Sequence, residues 1–154
     1  MAQGVCALSG CEGKFVRAHL YPRAFYKRLD DDACFAVVSS IENDRTKRSQ
    51  MGIYDPELVI EGTEAFLSKL DGHAAEVLNR NIPADKFVVI DGQIVTSGKG
   101  EPVGYWLDEF DPNLLKLFFI SVLWRFGASR RPEAANVELG PHLDQLAEFL
   151  RTEQ

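Results

Sequence analysis

Nothing in this chain is long and apolar enough to cross a bilayer as a helix. The longest hydrophobic run, residues 114–123, is interrupted by Lys116 and Ser121, whereas a spanning helix needs about 20 apolar residues. The N-terminus lacks a basic flank followed by an apolar stretch, so no signal peptide is expected. Cysteine is scarce and odd in number, at three. That argues against a disulfide framework and for a reduced, cytoplasmic setting. There is no Walker loop, no GxGxxG and no internal repeat. Positive charge is also short: 17 Lys and Arg stand against 23 Asp and Glu, a net −6. That balance argues against a generic nucleic-acid binder.

What is present fits one domain covering residues 1–154, since 45% of the chain is hydrophobic, enough for a core of its own. The charge is uneven. Residues 1–50 carry a net +2 and residues 51–154 a net −8. A basic N-terminal face built from Arg17, Arg23, Lys27, Arg28, Arg45, Lys47 and Arg48 would suit nucleic acid or an acidic partner. Solvated charges scattered over the surface account for the same asymmetry, and composition favours that reading.

The periodicity predicts an α+β fold. Residues 1–21 read as short extended pieces around the turn "LSGCEG". Pro22 suits the first position of a short helix, "PRAFYKRL", with Phe25 and Leu29 inward. "CFAVVSSI" (34–41) reads as a strand, and the polar "ENDRTKRSQMG" (42–52) as an exposed loop. From Thr63 onward Phe66, Leu67, Leu70, Ala74, Val77 and Leu78 recur at helical steps, with Thr63 as N-cap and Glu61 and Glu64 near the positive end of the dipole. Gly72 suggests a kink or a close approach there. "KFVVIDGQIVTSG" (86–98) predicts a hairpin turning at Asp91-Gly92. "DPNLLKLFFISVLWRFGAS" (111–129) predicts a helix capped by Asp111, with Pro112 first. It is apolar on nearly every face and therefore central and buried. A last amphipathic helix covers 140–151, with Leu143, Leu146, Ala147 and Leu150 inward.

Chemistry-bearing residues are few. Cys6 and Cys11 offer one pair of zinc ligands, but the second pair that a structural site needs is missing. Cys34 stands in an apolar strand, where a buried free thiol is the ordinary explanation. His73 and His142 fall on separate helices. No base accompanies any cysteine in a nucleophile signature. His19, framed by "FVRAHLYP", fits either a general base or a histidine packed beneath the helix, and its apolar surroundings favour the packed one.

"CALSGCEGKFVRAHLYPRAFYKRL" resembles the opening of HNH-endonuclease-like proteins, whose pattern runs Cys-x-x-Cys, Ser-His-Ile-Ile-Pro-Lys and an aromatic-rich helix. The similarity continues in "RSQMGIYDPELVIEGTEAFLSKLDGHAAEVL" (48–78) and "LKLFFISVLWR" (115–125), in the family's order. The resemblance implies a ββα-metal unit. There one zinc ties a cysteine pair on a turn between short strands to a second pair opening a helix, and the histidine lies near a catalytic metal. Position by position, Cys6 matches the first ligand and His19 the histidine, while Glu64 matches the acidic residue after the second pair. The other ligand positions fall on Ser9, Ile60 and Thr63, with Cys11 two residues late. Ile60 suits the space a metal would fill. Asn79 and Asn81 are further candidates for holding a magnesium-like ion.

The resemblance therefore implies a degenerate HNH-like core and a non-catalytic protein-interaction module. One version is a phage-encoded inhibitor of a bacterial defence system, meeting a basic nucleic-acid-handling complex. No cofactor is expected. The alternatives are a metal-dependent endonuclease using His19 and Glu64, with zinc or magnesium bound, and a nucleic-acid-binding protein using the basic N-terminal third.

Overall fold

The computed structural model describes residues 2–26, 36–40, 43–49, 52–80, 84–90, 93–107 and 109–153, with backbone alone at 26, 36–40, 43–49 and 84. The fold is α+β. Strands β1 (Gln3–Val5) and β2 (Glu12–Lys14) pair antiparallel, with Gln3 opposite Lys14 and Val5 opposite Glu12. Strand β3 (Ala18–His19) pairs with β6 (Tyr54–Asp55). Between them, α1 (Arg23–Tyr26) opens immediately after Pro22, whose fixed φ suits a helix start. Phe25 packs inward as expected, whereas Leu29 and Cys34 lie outside the described residues.

Strand β4 (Ala36–Ser40) matches the β-rich run, but the following segment corrects the expectation of a loop. Residues Asn43–Ser49 form strand β5, antiparallel to β4, with Val38 opposite Lys47. A polar sequence does not exclude a strand, because the ladder's hydrogen bonds come from the backbone and not from the side chains.

Helix α2 spans Glu61–Leu78, continuous through Gly72. An added Cβ at Gly72 would meet nothing within 4 Å, so the glycine marks no close contact. Thr63 is not the N-cap. Ile60 holds that position, without a side-chain bond, and Thr63 lies buried in the first turn. There its hydroxyl meets the Cys6 thiol, and that partner decides where the threonine points. Glu61 and Glu64 do occupy the first turn.

Helix α3 (Pro112–Ala128) starts as predicted. Asp111 Oδ1 accepts from the amides of Asn113 at 2.8 Å and Leu114 at 3.2 Å, satisfying two donors that a helix start leaves open. It is not buried all round, however. Leu117, Phe118, Ser121, Trp124 and Arg125 are buried, while Phe119 and Leu123 are exposed. Helix α4 (His142–Thr152) packs Leu143, Leu146, Ala147 and Leu150 inward. It sits close to α3 at Gly127, where an added Cβ would lie 3.2 Å from Leu143 of α4 and would collide with Leu139 just before it.

The core joins Leu8, Leu20 and Val59 to Leu67, Leu70 and Ala74 of α2, Phe118 and Trp124 of α3, and Leu150 of α4. A side-chain latch ties β6 to the end of α3. The Ser129 hydroxyl donates to Asp55 Oδ2 at 2.7 Å, and Asp55 Oδ1 accepts from the Glu57 amide.

The expected hairpin forms from β7 (Val89–Ile90) and β8 (Gln93–Ile94); the Asp91-Gly92 turn lies outside the described residues. A third extended segment closes on both strands. The Val88 amide donates to Gly104 O, Val95 to Val88 O, and Val103 to Val95 O. Each segment thus bonds to the other two, yet none of the described residues of 85–107 is fully buried. Among the described residues, no helix is long and apolar enough to cross a membrane.

Candidate functional site

Two polar clusters bring the candidate residues together. The first lies where the turn between β1 and β2 meets the start of α2. Cys6 Sγ accepts from the Ser9 amide at 3.4 Å and donates to the Thr63 hydroxyl at 3.4 Å. The backbone closes the turn, with the Cys6 amide donating to Cys11 O and the Gly10 amide to Cys6 O, both at 2.9 Å. Ile60 lies over the hairpin, where an added Cβ at Gly13 would sit 3.1 Å from Ile60 Cδ1. Cys6, Ser9, Ile60 and Thr63, scattered over residues 6–63 of the sequence, therefore converge. Burial opposes ionisation of the Cys6 thiol, but hydrogen bonds from Ser9, Thr63 and the Ile60 backbone outweigh it and hold its pKa below the ordinary thiol value.

The donor set does not fit zinc. It offers one thiol, two hydroxyls and a hydrocarbon branch, where a structural site needs four Cys or His ligands. Cys11 is exposed, and its Sγ lies 3.8 Å from the Ser9 carbonyl. Among the described residues, no three His, Cys, Asp or Glu side chains gather as metal ligands.

The second cluster centres on Arg125, which is fully buried. Its fork pairs bidentately with Asp71, Nη2 to Oδ1 at 2.6 Å and Nη1 to Oδ2 at 3.0 Å. Nη1 also donates to His19 O at 2.8 Å, Nε to Ser121 O at 3.3 Å, and Nη2 to Ser121 Oγ at 3.1 Å. Five donors meet five acceptors, which removes the penalty of leaving a buried guanidinium unpaired. One side chain thus ties β3, α2 and α3 together.

Glu64 lies beside this pair. Burial pushes its carboxyl up to about 7, the Arg125 charge opposes the rise and the Asp71 charge adds to it. Its Oε2 is buried without a hydrogen-bond partner. His19 and Glu64 are thus both linked to Arg125, the histidine through its backbone carbonyl and the glutamate through charge. Asn79 caps the far end of α2, about 22 Å along the helix from Glu64. It is therefore no partner for an ion held by Glu64. Asn81 lies outside the described residues.

Of the basic candidates, Arg17 and Arg23 have described side chains. Arg17 stacks over the Tyr54 ring at 5.3 Å and lines a cleft with Tyr54, Glu57 and Arg131. Arg23 is exposed at the start of α1. Arg45, Lys47 and Arg48 fall on β5, described in backbone alone, and Lys27 and Arg28 lie outside the described residues.

Arg125 is the residue that sequence reasoning missed. The signal was present: a lone cation on the same helical stripe as Leu117, Ser121 and Trp124 is on the core face, and a buried cation requires a buried acid. Comparison with known proteins finds no matching family model, no matching curated protein and no matching solved structure.

Proposed function

We propose that this chain is a non-catalytic protein-interaction module on a degenerate HNH-like scaffold. The lobe at residues 84–107 carries the reading. Val89, Ile90, Ile94, Val103, Tyr105 and Trp106 are all exposed there, Trp106 by 71%. Clustered apolar exposure of this kind marks a site that a partner covers, and Tyr and Trp are the residues that dominate such contacts. The scaffold part rests on the convergence of Cys6, Ser9, Ile60 and Thr63. The resemblance puts four zinc ligands at those positions, and this chain fills three of them with hydroxyls and a hydrocarbon. The acidic balance of residues 51–154 suits a basic partner, and an inhibitor of a nucleic-acid-handling defence complex is the concrete case.

The test is capture of a partner, reconstitution with the purified partner, and comparison with the double variant Ile90→Ser, Trp106→Ser. Binding should fall at least tenfold in the variant while the fold persists. Binding indifferent to these substitutions would sink the interaction reading, and metal-dependent DNA cleavage by the wild type would sink its non-catalytic part.

One observation favours the nuclease alternative: Glu64 carries a buried, unpartnered carboxylate oxygen and titrates near neutrality, as a general base does. On that reading both His19→Ala and Glu64→Gln abolish nicking of supercoiled DNA in magnesium or manganese. Wild-type protein without activity removes it.

A further inference from the structure

The β1–β2 hairpin sets its two cysteines opposite each other. Its register runs Gln3–Lys14, Gly4–Gly13 and Val5–Glu12, so the next pair is Cys6–Cys11, and the Cys6 amide donates to Cys11 O at 2.9 Å. Directly opposed residues of an antiparallel pair share one face, and where their backbones bond the Cα atoms lie about 5.5 Å apart. A disulfide ordinarily spans about 5.5–6 Å between Cα atoms. The shared face looks toward the start of α2. Cys6 meets Thr63 there, and an added Cβ at Gly13, two residues after Cys11, would sit 3.1 Å from Ile60. Both sulfurs also border Ser9: Cys6 Sγ accepts from its amide at 3.4 Å, and Cys11 Sγ lies 3.8 Å from its carbonyl oxygen. Cys6 is buried, whereas Cys11 is open to solvent.

We propose that Cys6 and Cys11 form a reversible redox pair, oxidised to a cross-strand disulfide by a low-molecular-weight disulfide such as oxidised glutathione. Exposed Cys11 reacts first. Its thiolate attacks one sulfur of the small disulfide, a mixed disulfide forms on Cys11, and one small thiolate leaves. The Cys6 thiolate then attacks Cys11 Sγ and displaces the second. The two protein thiols lose two electrons, the small disulfide takes them up, and the two thiol protons pass to the two small thiolates. The hydrogen bonds that lower the Cys6 pKa favour its thiolate, the form that makes this second attack. A transient bond of this kind is the one a reducing setting permits. Oxidation also reaches α2. A disulfide sulfur carries no proton, so the buried Thr63 hydroxyl loses the Cys6 donor that ties the hairpin turn to the first turn of the helix. The pair is separate from the 84–107 lobe and independent of the interaction reading.

The test equilibrates the full reduced chain with mixtures of reduced and oxidised glutathione, then alkylates it and digests it after lysine and arginine. Cys6 and Cys11 fall in one peptide, residues 1–14, and Cys34 in another. The expected product is peptide 1–14 two hydrogens lighter and closed to alkylation, with Cys34 still alkylated. Cys6→Ser should stop at the glutathione adduct of Cys11, and Cys11→Ser, at an exposed position, should keep Cys6 reduced. In the oxidised wild type the Glu64 amide, which donates to Ile60 O at 3.0 Å, should exchange with solvent roughly fivefold faster, the equivalent of one ordinary hydrogen bond. A wild type whose peptide 1–14 stays fully alkylated, an adduct that persists on wild-type Cys11, or a bond from either cysteine to Cys34 would overturn the pair. Glutathione on Cys6 in Cys11→Ser, or none on Cys11 in Cys6→Ser, would overturn the order of attack. Unchanged exchange at Glu64 would overturn the link to α2.

Discussion

The helical body and the 84–107 lobe are both rich in apolar sequence and use it in opposite ways. In the body, Leu67 and Leu70 of α2, Trp124 of α3 and Leu150 of α4 lose nearly all their exposure, and even the buried Arg125 finds five acceptors. In the lobe, Val89, Ile90, Ile94 and Val103 remain exposed although they lie on well-bonded extended segments. Backbone hydrogen bonding with only half-buried apolar contacts therefore closes the lobe, while full hydrophobic burial closes the body. A small strand unit of the lobe's kind is marginal by itself, so its apolar surface is free for a partner at little cost to the fold.

The comparison can be broken first at Arg125. Arg125→Ala removes all five donors and leaves the half-buried Asp71 without its partner, which should cost about 3 kcal/mol in chemical denaturation. Leu67→Ala, at a fully buried position, should cost about 2–5 kcal/mol by the same measurement. If either substitution is tolerated as well as one in the lobe, the division between the two regions is wrong.

Glu64 sharpens the comparison from inside the body. Its folded pKa of about 7 lies above the ordinary value of 4.5, so the folded chain holds this proton more tightly than the unfolded one. The stabilising share is intact below about pH 4.5 and is lost as the pH rises through 7. Glu64→Gln keeps a neutral side chain at every pH. The variant should match the wild type near pH 4 and exceed it at pH 8 by on the order of 2 kcal/mol, after allowance for partial solvent screening. Thermal unfolding across that range checks it, and a stability gap that does not change with pH would rule it out.

How much of this was legible in the sequence depended on whether the signal was local. The α3 cap was readable because Asp111-Pro112 carries its own geometry, and Asp111→Ala should lose about 1 kcal/mol. The inward face of α2 was readable from spacing, as was the existence of the 86–98 hairpin. Strand β5 was not, because its partner β4 rather than its own polar residues makes it a strand. Thr63 was misread for a similar reason: whether it caps or turns inward depends on Cys6, distant in sequence. The ion pair of Arg125 with Asp71 depends equally on two helices meeting. In the lobe, strand periodicity marked the elements but carried no information on whether anything covers them.

The smallest expected effect on stability is the most informative about that difference. Trp106 is the largest apolar side chain on the lobe and is 71% exposed. Removing it by Trp106→Ser takes away little that the folded state buries, so unfolding free energy should stay within about 0.5 kcal/mol of the wild type. A Trp→Ala truncation at a core site, such as Trp124, costs about 3–5 kcal/mol. The contrast between two tryptophans in one chain isolates burial from residue type. If Trp106→Ser instead destabilises the isolated chain by several kcal/mol, the lobe's apolar surface already serves the fold, and it loses its claim as a surface held for a partner.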